Sequence, residues 1–216
     1  MIVSSSTDHS RSSHYWGQLQ YQEADQLQSE AWAQVKSGSH GIILGGEVHH
    51  VVTLGLRARA DHVLSNGLKP IQTKRGGEAT LHSPGQLVIY PVVPLRENGM
   101  GVKAYIENLL RVSEVTFQDF QVPAQLRWEP LGLWTQKGKI GFCGVQVKSG
   151  ITQHGLSLNI SNNLELFSQI VSCGLLEAKY DKAINYNIEL TPNIFFNRWV
   201  NNFHKLNSPV SIEIHS

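Results

Sequence analysis

Between Arg75 and Gln86 the chain gathers an arginine, a histidine, a proline and three glycines into twelve residues. Glycines let a backbone press against a ligand and aim its N–H groups at an oxygen. The stretch therefore reads either as a loop that receives a substrate or as a turn between strands, and both readings stand at this point. Two other stretches echo it. Lys137-Gly138-Lys139-Ile140-Gly141-Phe142-Cys143-Gly144 puts a lysine at the edge of an apolar strand, and Thr152-Gln153-His154-Gly155-Leu156-Ser157-Leu158-Asn159 sets a histidine and glycine before another. Cys173-Gly174 follows the apolar stretch Leu164 to Val171. A lone cysteine is ordinarily a small buried core residue. It becomes a nucleophile where a lysine or a helix terminus favours its thiolate.

Other motifs fall away on spacing. No G-x-G-x-x-G follows a strand, which argues against a dinucleotide site. Gly132 to Lys139 has the outline of a phosphate loop, but five residues intervene rather than four, and Ile140 sits where Ser or Thr belongs. His49-His50 has no third ligand at a sensible spacing for a metal. The other histidines are scattered, and most read as structural or exposed.

The elements that must position these groups follow from periodicity. Tyr21, Ala24, Leu27, Ala31, Trp32 and Val35 recur three or four apart, which predicts an amphipathic helix from Tyr21 to Lys36, stopped by Gly38. Ile42 to Leu44, Val51 to Leu54 and Gln86 to Val93 read as strands. Val102 to Phe120 returns to the helical period and breaks at Pro123. Gln125 to Trp128, Leu133 to Thr135, Lys139 to Val147 and Gly155 to Ile160 are short and β-rich. Leu164 to Val171 suggests a helix capped by Asn162 or Asn163. Asn193 to Leu206 predicts a last helix, with Thr191 as cap and Pro192 at its first position. Val210, Ile212 and Ile214 alternate as in an edge strand. Helices and strands mix without a regular βαβ repeat, which predicts an α+β fold with a mixed, largely antiparallel sheet.

The chain has 216 residues, enough for one full domain with a large core. Eighteen Lys and Arg against seventeen Asp and Glu leave a net charge of +1, without the basic excess or basic run of a nucleic-acid binder. Two cysteines exclude a disulfide-stapled scaffold and a four-thiolate zinc site. Residues 1–14 are Ser-rich with no apolar signal core, and read as a disordered tail ahead of a single domain from 15 to 216. No apolar run reaches the roughly 18 to 20 residues that span a membrane. The protein reads as soluble, and as cytoplasmic by default.

Taken together, the blocks resemble the lipoyl(octanoyl) transferases, the octanoyl-carrier-protein to protein N-octanoyltransferases. The signature of that family looks like R-G-G-x-x-T-x-H-x-P-G-Q-x-x-x-Y, and Arg75 to Tyr90 satisfy it in full. Its G-x-K-I strand is matched in form by Lys137-Gly138-Lys139-Ile140, its T-x-H-G-x-x-L-N segment by Thr152 to Asn159, and its cysteine before glycine by Cys173-Gly174. Four blocks in the right order cover most of residues 50–180. Ser83 stands where glycine is common, Leu81 where an aromatic is common, Ser157 where alanine is common, and Ser172 where proline is frequent. Beyond residue 180 the match is only in general character.

The resemblance implies the catalytic core shared with biotin and lipoate protein ligases. It implies ping-pong acyl transfer with Cys173 as nucleophile and Lys139 as its charge partner and proton acceptor. The donor would be octanoyl-acyl carrier protein, a phosphopantetheine thioester. The acceptors would be lipoyl domains of 2-oxoacid dehydrogenase complexes and the glycine cleavage H protein. Substrate contacts carried over from the family are Arg75, Gly76, Gly77, Glu78, Ala79, Thr80, Leu81, His82, Phe142, Cys143, Gly144, Gly155, Leu156 and Ser157. Cys143 reads as a small wall residue, and no metal, nucleotide, nucleic acid or membrane is implied. The readings weighed beside this one are an ATP-dependent lipoate ligase, a cysteine hydrolase using His204 or His154 as base, and a non-catalytic carrier-binding module.

Overall fold

The computed structural model describes residues 12–65, 69–95, 99–171 and 178–207. Among these, three α-helices run over Tyr21–Lys36 (α1), Val102–Asp119 (α2) and Pro192–Asn207 (α3). The strands are Ser12–Leu19 (β1), Ile42–Val48 (β2), Val51–Leu54 (β3), Ile71–Gln72 (β4), Ala79–His82 (β5), Gln86–Val92 (β6), Gln125–Trp128 (β7), Leu131–Trp134 (β8), Lys139–Lys148 (β9) and Ile151–Asn159 (β10). Seven form one sheet in the order β1-β2-β6-β10-β9-β8-β7, and three form a second in the order β4-β3-β5. Two pairings, β1 with β2 and β3 with β4, are parallel, and the rest are antiparallel.

Strand β6 shows why the large sheet needs helices on both faces. Successive side chains of a strand point to opposite sides. Leu87 and Ile89 pack into a cluster with Leu109, Phe117, Phe195 and Trp199 of α2 and α3. Val88, Tyr90 and Val92 pack instead with Ala24, Ala31 and Val35 of α1. The α2–α3 contact carries polar groups in its centre, each with a partner. Trp199 Nε1 donates to Ser113 Oγ (2.8 Å), which donates in turn to the Leu109 carbonyl (2.8 Å). A third cluster, with Val52, Leu81, Phe142, Phe167 and Ile170, joins the small sheet to the large one.

Several predicted elements appear with altered bounds. Residues 12–14, assigned to the tail from sequence, begin β1. That strand lies at a sheet edge with its first half exposed, so it carries no apolar alternation to read. It is held by side chains: Trp16 Nε1 donates to the Glu47 carbonyl (3.0 Å) and the Tyr15 hydroxyl to Glu47 Oε1 (3.1 Å). The segment from Leu164 is a short 3₁₀ helix, Leu164–Gln169, with Asn163 as its cap. It goes no further because Ile170 bridges to Val63 and the Val171 N–H donates to the His62 carbonyl (2.8 Å). Thr191 caps α3 through the Ile194 N–H (3.3 Å), with Pro192 at its first position. The alternation from Val210 to Ile214 lies outside the described residues. Among the described residues no helix is long and apolar enough to cross a membrane.

Two histidines sit deep in the fold, His82 and His154, each 6% exposed. Burial, aided by the positive charge of Arg75, lowers both to about 4. A histidine whose folded value lies below its unfolded one near 6.5 leaves the unfolded chain holding more protons as pH falls. Stability is then full above about pH 6.5 and is lost as pH drops toward about 4. Unfolding free energy measured by urea titration should fall by about 2 kcal/mol per histidine from about pH 7 to about pH 5. In the double variant His82→Gln, His154→Gln that difference should shrink by more than half. An unchanged slope would show that carboxylates, not these imidazoles, set the acid sensitivity.

Candidate active site

The Arg75 stretch is a loop pinned from within. The Arg75 guanidinium, 9% exposed, donates to the Thr53 carbonyl (2.8 Å), to Thr53 Oγ1 (2.9 Å) and to the carbonyl of Gly76 (3.2 Å). A planar fork of fixed donors suits such a frame, and a flexible ammonium would not supply it. The Gly76 N–H donates to the Val145 carbonyl (2.9 Å), which anchors the loop to β9. Gly77 has a φ of +91°, where a side chain would be strained. The chain then enters β5, pairing Thr80 with Thr53 and His82 with Val51.

Lys139 opens β9 and is 2% exposed. Its Nζ donates to the Leu131 carbonyl (2.7 Å) and lies 4.9 Å from the Phe142 ring centre and 5.5 Å from that of Trp134. Gly132 makes the room: a Cβ there would stand 2.5 Å from Lys139 Cε. The faint phosphate-loop outline from Gly132 to Lys139 is thus a hairpin folded over a lysine.

Loop and lysine meet at a cavity of about 320 Å³. One wall is Arg75, Gly77, Glu78, Ala79, Thr80 and His82. Another is Lys139, Phe142, Cys143 and Gly144 of β9 with Gly155, Leu156 and Ser157 of β10. Tyr21 of α1 and Tyr90 of β6 reach the same space, as does His154. Arg57, Trp128, Pro130 and Leu131 complete its lining. His154 holds a φ of +55° within its strand, and its backbone N–H donates to Gln28 Oε1 of α1. A non-glycine residue in that region of backbone space is uncommon and marks a functional candidate.

The electrostatics of the wall are set by burial. Desolvation pushes the Cys143 thiol up to about 12, against the pull of Lys139, so this cysteine is a protonated wall group at neutral pH. His82 and His154 are neutral there for the reasons given above. His82 stacks on Tyr21, ring centres 6.3 Å apart, and its Nδ1 lies 2.7 Å from Gln86 Oε1. Gln86 Nε2 donates to Asn159 Oδ1 (3.0 Å). Thr80 Oγ1 and Glu78 Oε2 are buried with no hydrogen-bond partner among the described residues. Buried polar atoms are normally paired, so both are ready to receive a bound group. Among the described residues no three His, Cys, Asp or Glu side chains converge to hold a metal.

Of the residues singled out from sequence, Lys139, Arg75, Gly77 to Thr80, His82, Phe142 to Gly144 and Gly155 to Ser157 come together around one cavity. Leu81 does not, being fully buried in the Val52–Phe167 cluster. Gly76 supports the loop through its backbone and is not part of the lining. Cys173 lies outside the described residues. His49 is an exposed neighbour of Gln18, and His204 sits in the last turn of α3, away from the cavity lining. Sequence reasoning assigned Tyr21, Arg57, Tyr90, Trp128, Pro130 and Leu131 no contact with substrate, and offered His154 only as the base of a hydrolase. Tyr21 left a signal, as the apolar residue that opens α1, and Tyr90 closes the signature stretch.

The family model of the lipoyl protein ligase A/B catalytic domain matches residues 20–188. The octanoyltransferase of Chloroflexus aurantiacus is 35% identical over 175 residues, covering 76% of this chain and 78% of that protein. The octanoyltransferase of Desulfovibrio desulfuricans is 36% identical, covering 74% and 70%. In three dimensions the chain is similar to lipoate-protein ligase A bound with ATP, with a TM-score of 0.71, 12% identity and 90% and 84% coverage. It is also similar to the biotin protein ligase of Aquifex aeolicus in complex with biotin and ATP, with a TM-score of 0.57, 9% identity and 91% and 70% coverage. The loop framed by Arg75, the buried Lys139 and the cavity between them thus sit on the α+β core of these ligases, and the chain belongs to the lipoyl protein ligase A/B catalytic-domain family, among its octanoyltransferases.

Proposed function

We propose that this protein transfers an octanoyl group from acyl carrier protein to the lysine amine of lipoyl domains, including that of the glycine cleavage H protein, through a thioester on Cys173. The observation that carries the reading is Lys139, an amine buried at the edge of a cavity whose other wall is the Arg75 loop. The relatives named octanoyltransferase support the acyl group and the reaction class.

In the first half-reaction the Cys173 thiolate attacks the thioester carbonyl of the donor. A new C–S bond forms, the donor's C–S bond breaks, and the carrier leaves as a thiolate that takes the proton of Lys139, whose anionic partner has been consumed; this leaves Lys139 neutral. Exchange of one thioester for another is near thermoneutral and needs no ATP. A free cysteine is mostly protonated at neutral pH, so the thiolate needs a nearby cation, and the Lys139 ammonium is the candidate. Backbone N–H groups near Gly77 and Leu156 are the candidate donors to the oxyanion. In the second half-reaction the acceptor amine attacks the enzyme thioester, its proton passes to neutral Lys139, and the Cys173 thiolate leaves as the amide forms. An eight-carbon chain at about 0.8 kcal/mol per methylene supplies about 5 kcal/mol on entering an apolar slot. Phe142, Leu156 and the small residues Cys143, Gly144, Gly155 and Ser157 suit such a slot. The chemistry of Cys143, with its thiol held near 12, favours a wall role over a nucleophilic one.

Intact mass after mixing with octanoyl carrier protein, without ATP, should show one added octanoyl group. Cys173→Ala should abolish that adduct and transfer, while Cys143→Ala keeps both. An adduct that persists in Cys173→Ala, or that appears only with ATP, would sink the thioester route. Gly77→Val should slow acylation on the order of 10²-fold, the loss typical of one oxyanion donor, while the protein still folds. Stability loss without a selective kinetic defect would leave Gly77 as a simple turn residue. Lys139→Arg keeps the charge but cannot give up a proton near neutral pH. Rapid-quench mass spectrometry should show its octanoyl-enzyme forming and then accumulating, whereas Lys139→Met should acylate slowly with a raised thiol pKa. Normal amine transfer by the arginine variant would remove the proton-acceptor role.

A further inference from the structure

Asp181 is a carboxylate that no motif announced. It is 1% exposed, yet it accepts four hydrogen bonds. Thr135 Oγ1 (2.5 Å) and the Tyr186 hydroxyl (2.7 Å) donate to Oδ2, and Asn185 Nδ2 (2.6 Å) and the Lys182 N–H (2.9 Å) donate to Oδ1. Burial pushes its acidity down, but these bonds outweigh it and hold the carboxyl below the usual carboxylate range.

The backbone of the same residue is tied to both sides of the cavity. Its N–H donates to the Lys139 carbonyl (3.0 Å), and the Lys139 N–H donates to the Lys179 carbonyl (2.8 Å). The crossing is close enough that a Cβ on Gly138 would stand 2.5 Å from the Lys179 carbonyl carbon. The Asp181 carbonyl accepts from Asn159 Nδ2 (3.1 Å), and Asn159 Oδ1 accepts from Gln86 Nε2, whose own Oε1 meets His82. An unbroken hydrogen-bonded chain therefore runs from His82 in the loop wall to the backbone of Lys139. Every side chain in it is buried.

We propose that Asp181 is a positioning residue for Lys139, holding the strand end from which the lysine side chain enters the cavity. The inference rests on the reading above that Lys139 serves the transfer. Only a carboxylate can accept from all four donors at once, because an amide turns one of its two ends into a donor. In Asp181→Asn the remaining oxygen can keep the two fixed N–H donors, and the amide N–H group makes the Thr135 and Tyr186 hydroxyls turn round and accept, so their short bonds to this residue are rebuilt.

The test follows the Lys139 side chain itself. Protein labelled with ¹³C and ¹⁵N at lysine gives one Cε resonance per lysine, and Lys139→Arg assigns the relevant one. In Asp181→Asn that resonance should move, with cooperative thermal unfolding retained. The kcat for octanoyl transfer should fall at least tenfold, with KM changed less than twofold. Thr135→Val removes one donor of the four and keeps the test open if the asparagine variant does not fold. It should move the same resonance in the same direction and lower kcat about threefold. Adding Thr135→Val to Asp181→Asn should bring little further loss. An unmoved Lys139 resonance in either folded variant would overturn the proposal. A moved resonance with normal transfer would support the placement of the side chain by Asp181 and overturn the catalytic reading of Lys139.

Discussion

An ammonium withdrawn from water must be compensated inside the protein, and this fold is arranged around one such group. Removing an ion from solvent costs several kcal/mol even after the structure relaxes. For Lys139 the Leu131 carbonyl and the faces of Phe142 and Trp134 are among the replacements for water. A desolvated cation over an aromatic face is stabilised by about 2 kcal/mol. Each of these partners constrains the chain. The β7–β8 hairpin has to fold back over β9, the residue after Leu131 has to lack a Cβ, and Phe142 has to face the lysine from its own strand.

The Arg75 loop obeys a parallel constraint with a different solution. Its guanidinium is also withdrawn from water, but its bonds go largely to Thr53 of the small sheet and to the loop's own backbone. The cation therefore shapes the loop and biases the electrostatics nearby, adding to the burial that keeps the imidazoles of His82 and His154 uncharged. Two buried cations thus divide their tasks by geometry. The rigid fork frames a backbone, and the flexible amine reaches the wall of the cavity.

Much of this was legible in the sequence, for identifiable reasons. Helices α1, α2 and α3 announce themselves because each has one apolar face, and the glycine-rich stretch announces itself because turns and close approaches demand particular residues. Lys139 stood out as a charge opening an apolar strand. What stayed hidden depends on closeness in space. Strand β1 carries no apolar alternation and owes its place to Glu47 in a neighbouring strand. Leu81 sits inside the signature stretch but faces the core, a matter of strand direction that spacing alone does not settle. Gly132 and Asp181 matter through Lys139, which one meets across a hairpin and the other across a chain crossing. His154 depends on Gln28, which no local pattern connects to it.

That last contact joins residues 126 apart in the chain. The cavity draws on α1, the Arg75 loop, β6, β9 and β10, so its walls are assembled from long-range pairings rather than local turns. Closing such loops is entropically slow, and chains rich in distant contacts fold slowly for that reason. During synthesis the cavity has no complete wall until β10 has paired between β6 and β9. The cavity is thus a late product of folding, complete only when strands distant in the chain have met.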